Sequence, residues 1–445
     1  MLRSPLFHTD PELSHTCAYL SESSGGLTLT PDRMNSDHNA VYIKTNLFDP
    51  IKYGLDASFR LTNFTELKGC GCKVPRDQLL KLLENLNEAP ADRGNSHQNG
   101  QHNGAKQRGT NGEKSAYDSS LSAIGVGLDS CLIPLRHKGL YLVQTTDFFY
   151  PLVDDPYLMG KITCANVLSD IYAMGVTDCD NLLMILATSQ KFTPKERDII
   201  MPLIIQGFKD CAAEAGTSVN GGQTVINPWV TIGGTASAVV RSEDVIMPED
   251  AEIGDVLVLT KPLGTQIAVN AHQWLTTNPE RAEKVRAIVP DESIRQAYRR
   301  AMYSMTRLNR NAARLMHQFS AHAATDVTGF GLFGHAENLV RNQHNSVNFV
   351  IHNLPIIANM AVVSRTFPGF GLLQGNSAES SGGLLVCLPR DRAAGYIEEL
   401  RRLDGTPAWI IGTVEEGDRR VVWSEKMRVI EVPSGDEDLT AFCGI

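Results

Sequence analysis

Lys68-Gly69-Cys70-Gly71-Cys72-Lys73 sets two cysteines one glycine apart, with a lysine at either end. Glycines 69 and 71 leave the backbone free to bend and to approach a ligand closely. A neighbouring ammonium favours thiolate over thiol, and the thiolate is the reactive form. A flexible basic loop holding a thiol beside a lysine suits two tasks: attacking or carrying something soft, and steadying something anionic. A short Cys-x-Cys pair is equally the form of half a metal site, or of two small buried residues adjacent by chance. The six residues leave these alternatives open; the rest of the chain decides between them.

The chain has 445 residues, room for about three domains or for two large ones with tails. A hydrophobic share of 42% against 20% charged residues describes an ordinary globular protein with ample core. A net charge of -9 argues against nucleic acid as partner, because phosphate backbones need a basic face. A nucleotide remains open, since a few lysines and metal ions can handle its charge. The nine cysteines are odd in number and irregularly spaced, so no disulfide framework is expected and a reducing compartment is. No Cys-x-x-Cys pair occurs, which weakens a structural zinc site. The N-terminus lacks a basic segment followed by an apolar run. The longest apolar runs, such as 182–187, are far too short for a bilayer. A cytoplasmic protein without membrane contact is expected.

Residues 1–60 mix Pro, Gly and polar residues with little periodicity, and a flexible tail is expected there. The mobile Cys/Lys loop occupies 66–75, and Pro75 then opens a leucine-rich helix. Between Gly94 and Gly112 the only apolar residue is an alanine, so 88–118 reads as a disordered insertion. Its His97 and His102 read as solvated low complexity. Strands are expected to resume at Ala123 and to end at Asp147. Helical spacing follows at Leu158, Ile162, Ala165 and Leu168, placing Asn166 and Asp170 on one face. Thr193-Pro194-Lys195-Glu196 has the form of a capping box. Ser218 to Thr224 reads as a glycine turn after a short strand, and 291–319 as helical. The composition break at Pro248–Glu252 reads as a linker, dividing a domain at 61–248 from one at 251–445. Strands and helices alternate irregularly, which points to α+β in two domains.

Asp129, Asp147, Asp170 and Asp326 stand at strand ends, in glycine loops or on a helix among apolar residues. A carboxylate in such a setting is costly unless it is paired or holds a cation. Four of them on separate elements could converge on magnesium, although any one alone is read as a cap or turn residue. Glycine segments at 125–127, 221–222 and 329–334 could offer amides to phosphate. Gly329 to Gly334 formally matches the dinucleotide fingerprint, but no acidic residue follows about 20 positions on. No Walker lysine motif exists. His272, His317 and His335 lie in helical pattern and read as surface or packing histidines.

Together, Leu67–Pro75, Gly127-Leu128-Asp129, Gln144–Asp147 with Val153–Pro156, Asn166–Asp170, Gly221-Gly222-Gln223-Thr224 and Ala324–Gly331 resemble the selenophosphate synthetases. The order matches too, and the resemblance runs from about Arg60 to the C-terminal strands, without the insertion. It implies an ATP-dependent enzyme of the aminoimidazole-ribonucleotide-synthetase-like superfamily, which turns selenide, ATP and water into selenophosphate, orthophosphate and AMP. The fold implied is an N-terminal α/β domain, ATP-binding and joined to a partner's in a dimeric β-barrel, with a C-terminal α+β domain. Carried over by position, Cys70 and Lys73 match the catalytic pair. Asp129, Asp170 and Asp326 match metal ligands. Lys73, Gly127, Leu128, Asp129, Asp147, Asp170 and Gly221 to Thr224 match nucleotide contacts. Mg²⁺, with K⁺ as a further ion, and a homodimer are implied. The resemblance leaves open whether selenide arrives free or from a delivery protein.

The tail and the 88–118 insertion are not part of that family's core pattern. Some relatives lack a chalcogen residue at the position of Cys70; this chain has cysteine there. The competing reading is a catalytically silent nucleotide-binding or redox-responsive paralogue, against which the intact Cys70, Lys73 and acidic set argue.

Overall fold

In the computed structural model, residues 42–43, 47–83 and 129–433 are described. The 88–118 segment, Gly127 and Leu128 lie outside the described residues. After the Cys70 turn comes α1 (Arg76–Leu83). The first sheet is built from β1 (Cys131–Pro134), β2 (Tyr141–Phe149), β3 (Asn181–Ser189), β4 (Val219–Asn227) and β5 (Thr231–Val240). Its order is β1-β2-β5-β3-β4, antiparallel except for the β3–β4 pair. Two helices cover one face, α2 (Pro156–Ala173) and α3 (Pro194–Glu214).

Every residue of α2 except Tyr157 and Asp170 is buried, which is why its sequence shows no narrow apolar stripe. Asp155 caps it by accepting from the Leu158 amide, and Pro156 fills the first turn, where no amide is needed. Helices α2 and α3 touch at two glycines. A Cβ on Gly160 would stand 2.1 Å from the Ile204 carbonyl, and one on Gly207 1.9 Å from that of Tyr157. The Thr193/Glu196 capping box starts α3 as the sequence suggests, and Pro202 lies within the helix.

The second sheet follows from Val256 onward. Its elements in order are β6 (Val256–Leu259), α4 (Thr265–Thr277), α5 (Pro279–Arg286), α6 (Asp291–Thr306), α7 (Arg310–Gln318), β7 (Ala323–Asp326), α8 (Gly331–Arg341), β8 (Val347–Ile357), α9 (Met360–Thr366), β9 (Leu384–Leu388), α10 (Arg390–Asp404), β10 (Trp409–Glu416) and β11 (Val421–Val432). The strand order is β11-β8-β10-β6-β9-β7. One apolar cluster runs through both halves, so α2 is buried from two sides.

Three expectations change. Residues 218–224 are not a turn: β4 continues through them, paired in parallel with β3. The 291–319 helix breaks at Arg307-Leu308-Asn309. There the Lys261 ammonium bonds the Arg307 carbonyl, and the Asn309 amide bonds Gly382 and Ser169, so buried tertiary bonds replace helical ones. Residues 47–60, assigned to the tail, are anchored at points: Phe59 is buried and the Phe48 amide donates to Asp155, while 51–54 and 56–58 are exposed.

Candidate active site

The Cys70–Cys72 stretch is a single 3₁₀ turn wedged between the two halves of the molecule. Gly69 precedes it at φ 51, where L side chains are strained, and a Cβ there would lie 2.5 Å from the Ser380 hydroxyl. The Gly69 amide donates to the Tyr150 carbonyl just past β2, tying the turn to the first sheet. The Cys70 amide donates to Ser380 Oγ at 3.0 Å, tying it to the segment before β9. Cys70 Sγ is fully buried and donates to Asn166 Oδ1 at 3.3 Å.

This burial reverses one expectation. A lysine beside a cysteine was read as favouring thiolate. In the docked turn, burial pushes the Cys70 thiol well above its ordinary pKa, and the Asp147 charge adds to that. Lys73 pulls the other way and loses. The docked turn therefore holds a protonated thiol that donates to Asn166, and reactivity requires the turn to move or a ligand to change its surroundings. Cys72 is half-buried and shifted the same way.

Lys73 turns towards the acids. Its Nζ stands 3.8 Å from Asp147 Oδ2, a charge contact rather than a hydrogen bond, and 6.0 Å from the Phe330 ring centroid. Burial works against the ammonium, but Asp147, Cys70, Asp170 and Asp326 outweigh it and hold its pKa above the ordinary value. Asp147, on β2, accepts from Asn166 Nδ2 at 2.7 Å. Asp170, one helical turn beyond Asn166 on α2, accepts from the Thr145 hydroxyl at 2.5 Å. Asp326 ends β7, is almost fully buried, and among the described residues has no hydrogen-bond partner on either carboxylate oxygen.

Burial raises the pKa of all three acids that face one another here. Asp129 is pushed up to about 7, by burial and then by Asp326. Asp326 is pushed up to about 6, by burial, with Ser169 and Lys73 offsetting part of it. Asp170 goes well above the carboxylate range, by burial and then by Asp326, Asp147 and Asp129. Four carboxylates around one ammonium is an unbalanced set. The orphaned oxygens of Asp326 and the carboxylates that face it fit a hard divalent cation. Ligand atoms of Asp129, Asp326 and His335 lie within 4.8 Å of one another.

Cys70, Lys73, Asp129, Asp147, Asp170 and Asp326 thus come together. Gly221 to Thr224 do not join them. These residues lie on β4, the exposed edge of the first sheet, three strands from β2 and so about 14 Å across the ladder at ~4.8 Å per strand. Gly222 is required there for packing: at φ 144 its Cβ would stand 1.8 Å from the Met184 carbonyl.

The site also contains residues the sequence reading passed over. Asn166 was given no role beyond sharing a face with Asp170 and opening the 166–170 motif, yet it bridges Cys70, Asp147 and the Ser381 amide. Its spacing from Asp170 was the available signal. His335, read as a packing histidine, is buried beside the acids; its Nε2 accepts from the Phe330 amide and lies 3.2 Å from the Thr328 hydroxyl, bracing that turn. Gly329 lets the Cys70 turn dock, since a Cβ there would be 2.6 Å from the Cys70 carbonyl and 2.8 Å from Lys73 Cδ. Ser380 and Ser381 carried no motif that marked them.

Residues 127–240 match the family described as AIR synthase related protein, N-terminal domain, and 252–424 its C-terminal domain. In solved structures the same two-domain fold appears in AaThiL complexed with AMPPCP and TMP, at TM-score 0.51 and 17% identity, over 68% of this chain and 88% of that one. It appears also in thiamine-monophosphate kinase from Stenotrophomonas maltophilia K279a, at TM-score 0.50 and 19% identity, over 68% and 90%. These identities speak for the fold alone. Sequence relatives are far nearer. Selenide, water dikinase 2 of Homo sapiens is 54% identical over 92% of this chain and 91% of its own length. Selenide, water dikinase 3 of Danio rerio is 55% identical over 86% and 88%, and the probable selenide, water dikinase of Caenorhabditis elegans 49% over 82% and 91%. With that identity along both halves, and with the Cys70 turn docked on the acids, the chain belongs to the selenide, water dikinase family.

Proposed function

We propose that this protein makes selenophosphate from selenide, ATP and water, releasing AMP and orthophosphate. The γ-phosphoryl group passes to selenium, and the β-phosphoryl of the remaining ADP passes to water. The observation that carries the reading is the docking of a thiol and a lysine on a converging acidic set, with the Lys73 ammonium facing Asp147. Phosphoryl transfer is mostly positioning and charge neutralisation. Lys73 supplies a point charge for a phosphate. Asp129, Asp170 and Asp326 would hold Mg²⁺, which would neutralise the polyphosphate, and K⁺ is a further ion of the site. Asp147 and Asn166 orient Lys73 and the thiol. Cys70 brings the soft atom for selenium, and its complete burial means that residues 66–75 act as a lid that opens to admit ligand.

The halves 61–248 and 251–445 act as an ATP-binding, dimerising domain and a C-terminal domain that closes over the thiol. Phe148, Val239, Val225 and Ile226 are exposed apolar side chains of the first sheet, which supports a homodimer through it. In such a dimer Gly221 to Thr224, with Gly127 and Leu128, would contact ATP, the β4 residues from across the interface. Among the described residues no helix is long and apolar enough to cross a membrane.

The test is an anaerobic mixture of protein, ATP, Mg²⁺ and selenide followed by phosphorus NMR. AMP, orthophosphate and a selenophosphate signal are expected, each dependent on selenide. Accumulation of ADP as end product, or no selenide dependence, would overturn the reading.

A further inference from the structure

Ser381 combines two features that a structural residue has no reason to combine. Its backbone sits at φ 46, the left-handed region that L side chains rarely adopt. Glycine takes that conformation without cost, and Gly382 and Gly383 follow directly, yet position 381 carries a side chain. Its hydroxyl is buried, with the residue 1% exposed, and has no hydrogen-bond partner among the described residues. A buried unpartnered hydroxyl is destabilising.

The rest of the residue is fully engaged. Its amide donates to Asn166 Oδ1 at 2.7 Å, and its carbonyl accepts from the Lys261 ammonium at 2.9 Å. Lys261 also holds the Arg307 carbonyl, and Asn309 holds the Gly382 carbonyl. The turn is therefore clamped, and relaxation cannot relieve the serine. Its place is next to the thiol: the Asn166 oxygen that receives the Ser381 amide also receives Cys70 Sγ. The preceding Ser380 hydroxyl accepts from the Cys70 amide. Ser377, in the same segment, has a second buried hydroxyl without a partner among the described residues. Asp147 meets Nδ2 of Asn166 and Lys73 faces that acid, whereas the Ser381 amide meets the Oδ1 that also receives the thiol.

We propose that Ser381 is a binding residue for the selenium substrate, its hydroxyl donating to the hydrogen selenide anion seated against Cys70. This rests on the selenophosphate reading above. A hydrogen selenide anion offers a single heavy atom and no second group to recognise, so one O–H donor beside the thiol is what a site for it can use. The strained backbone and the orphaned hydroxyl are then the cost of presenting that donor in the free enzyme.

Two variants test it. Ser381→Ala removes the hydroxyl and keeps the backbone strain; Ser381→Gly removes the hydroxyl and relieves the strain, so it folds at least as well as the parent. Anaerobic AMP formation is measured against selenide at saturating ATP, and against ATP at saturating selenide. Both variants are expected to raise the KM for selenide about ten-fold or more, the loss of one hydrogen bond to an anion, with the KM for ATP nearly unchanged. A selenide KM left unchanged in Ser381→Gly, or a rise confined to ATP, overturns the assignment while the parent activity stands. A parent without selenide-dependent AMP formation overturns both readings together.

Discussion

The Cys70 turn and the β4 edge are both glycine-rich, and they end in opposite surroundings. Cys70 of the turn is buried between two halves of one chain, and groups from α2, the end of β2 and the segment before β9 close around it. The β4 stretch Gly221 to Thr224 lies open at the side of its sheet. Their glycines serve different needs. Gly69 permits a positive φ and a close approach to Ser380 in the site, whereas Gly222 permits strand pairing with β3. A glycine run therefore does not identify a phosphate cradle until the topology shows what faces it. The thiol and the acids meet within one chain, whereas nothing among the described residues faces the β4 stretch as it faces the turn.

The comparison breaks first at Cys70. Cys70→Ser is expected to abolish selenide-dependent AMP formation while Cys72→Ser costs a few-fold; equal tolerance of both in the NMR assay would remove Cys70 from the chemistry. Asp326→Asn comes next, with turnover down by about 10²–10³-fold and a higher Mg²⁺ requirement, read by titrating Mg²⁺ in the same assay. An unchanged Mg²⁺ response would mean that this acid holds no metal. Gly329→Ala pushes against the Cys70 carbonyl and should lift the turn, lowering kcat/KM by about 10- to 100-fold while Cys70 alkylates faster.

The β4 side is tested by mixing. If Gln223 serves a partner's site, an equal mixture of Cys70→Ser and Gln223→Ala subunits, each inactive alone, regains on the order of a quarter of parental activity through hybrid dimers. No recovery would return Gly221 to Thr224 to a packing role. The smallest effect is on stability. Asp129 at about 7 and Asp326 at about 6 lie above their ordinary 3.8, so the folded chain binds more protons than the unfolded one between these values. Stability of the metal-free protein should therefore fall as pH rises from about 4 to about 7, and Mg²⁺ should restore it. A thermal melt in a chelator, at about pH 5 and about pH 8, should show a drop of a few degrees.

Much of the fold was legible because local rules governed it. The helical spacing from Leu158 and the α3 capping box are short-range signals, and each has its counterpart in the structure. The 291–319 helix and the 218–224 turn were misread because distant partners override propensity there. Lys261 and Gly382 take the chain out of helix at 307–309, and β3 extends β4 through its glycines. Within the site, the acids stood out as carboxylates in apolar contexts. Asn166 was half visible through its spacing from Asp170, and the serines were invisible. Serine is common on surfaces, and only a left-handed backbone combined with burial and an unpartnered hydroxyl singles out Ser381 among the described residues.

The sequence by itself determined which chemical groups are available: one thiol loop with a lysine, four acids on separate elements, and a charge balance that disfavours nucleic acid. Tertiary structure alone decided their state. It brought Ser380 to Cys70 across 310 positions of chain. It buried the thiol so that desolvation and Asp147 outweigh Lys73, and left β4 outside the site. Functional-group identity is a local property of the chain, whereas desolvation and proximity depend on contacts between distant segments, which no local pattern of Lys68 to Lys73 encodes.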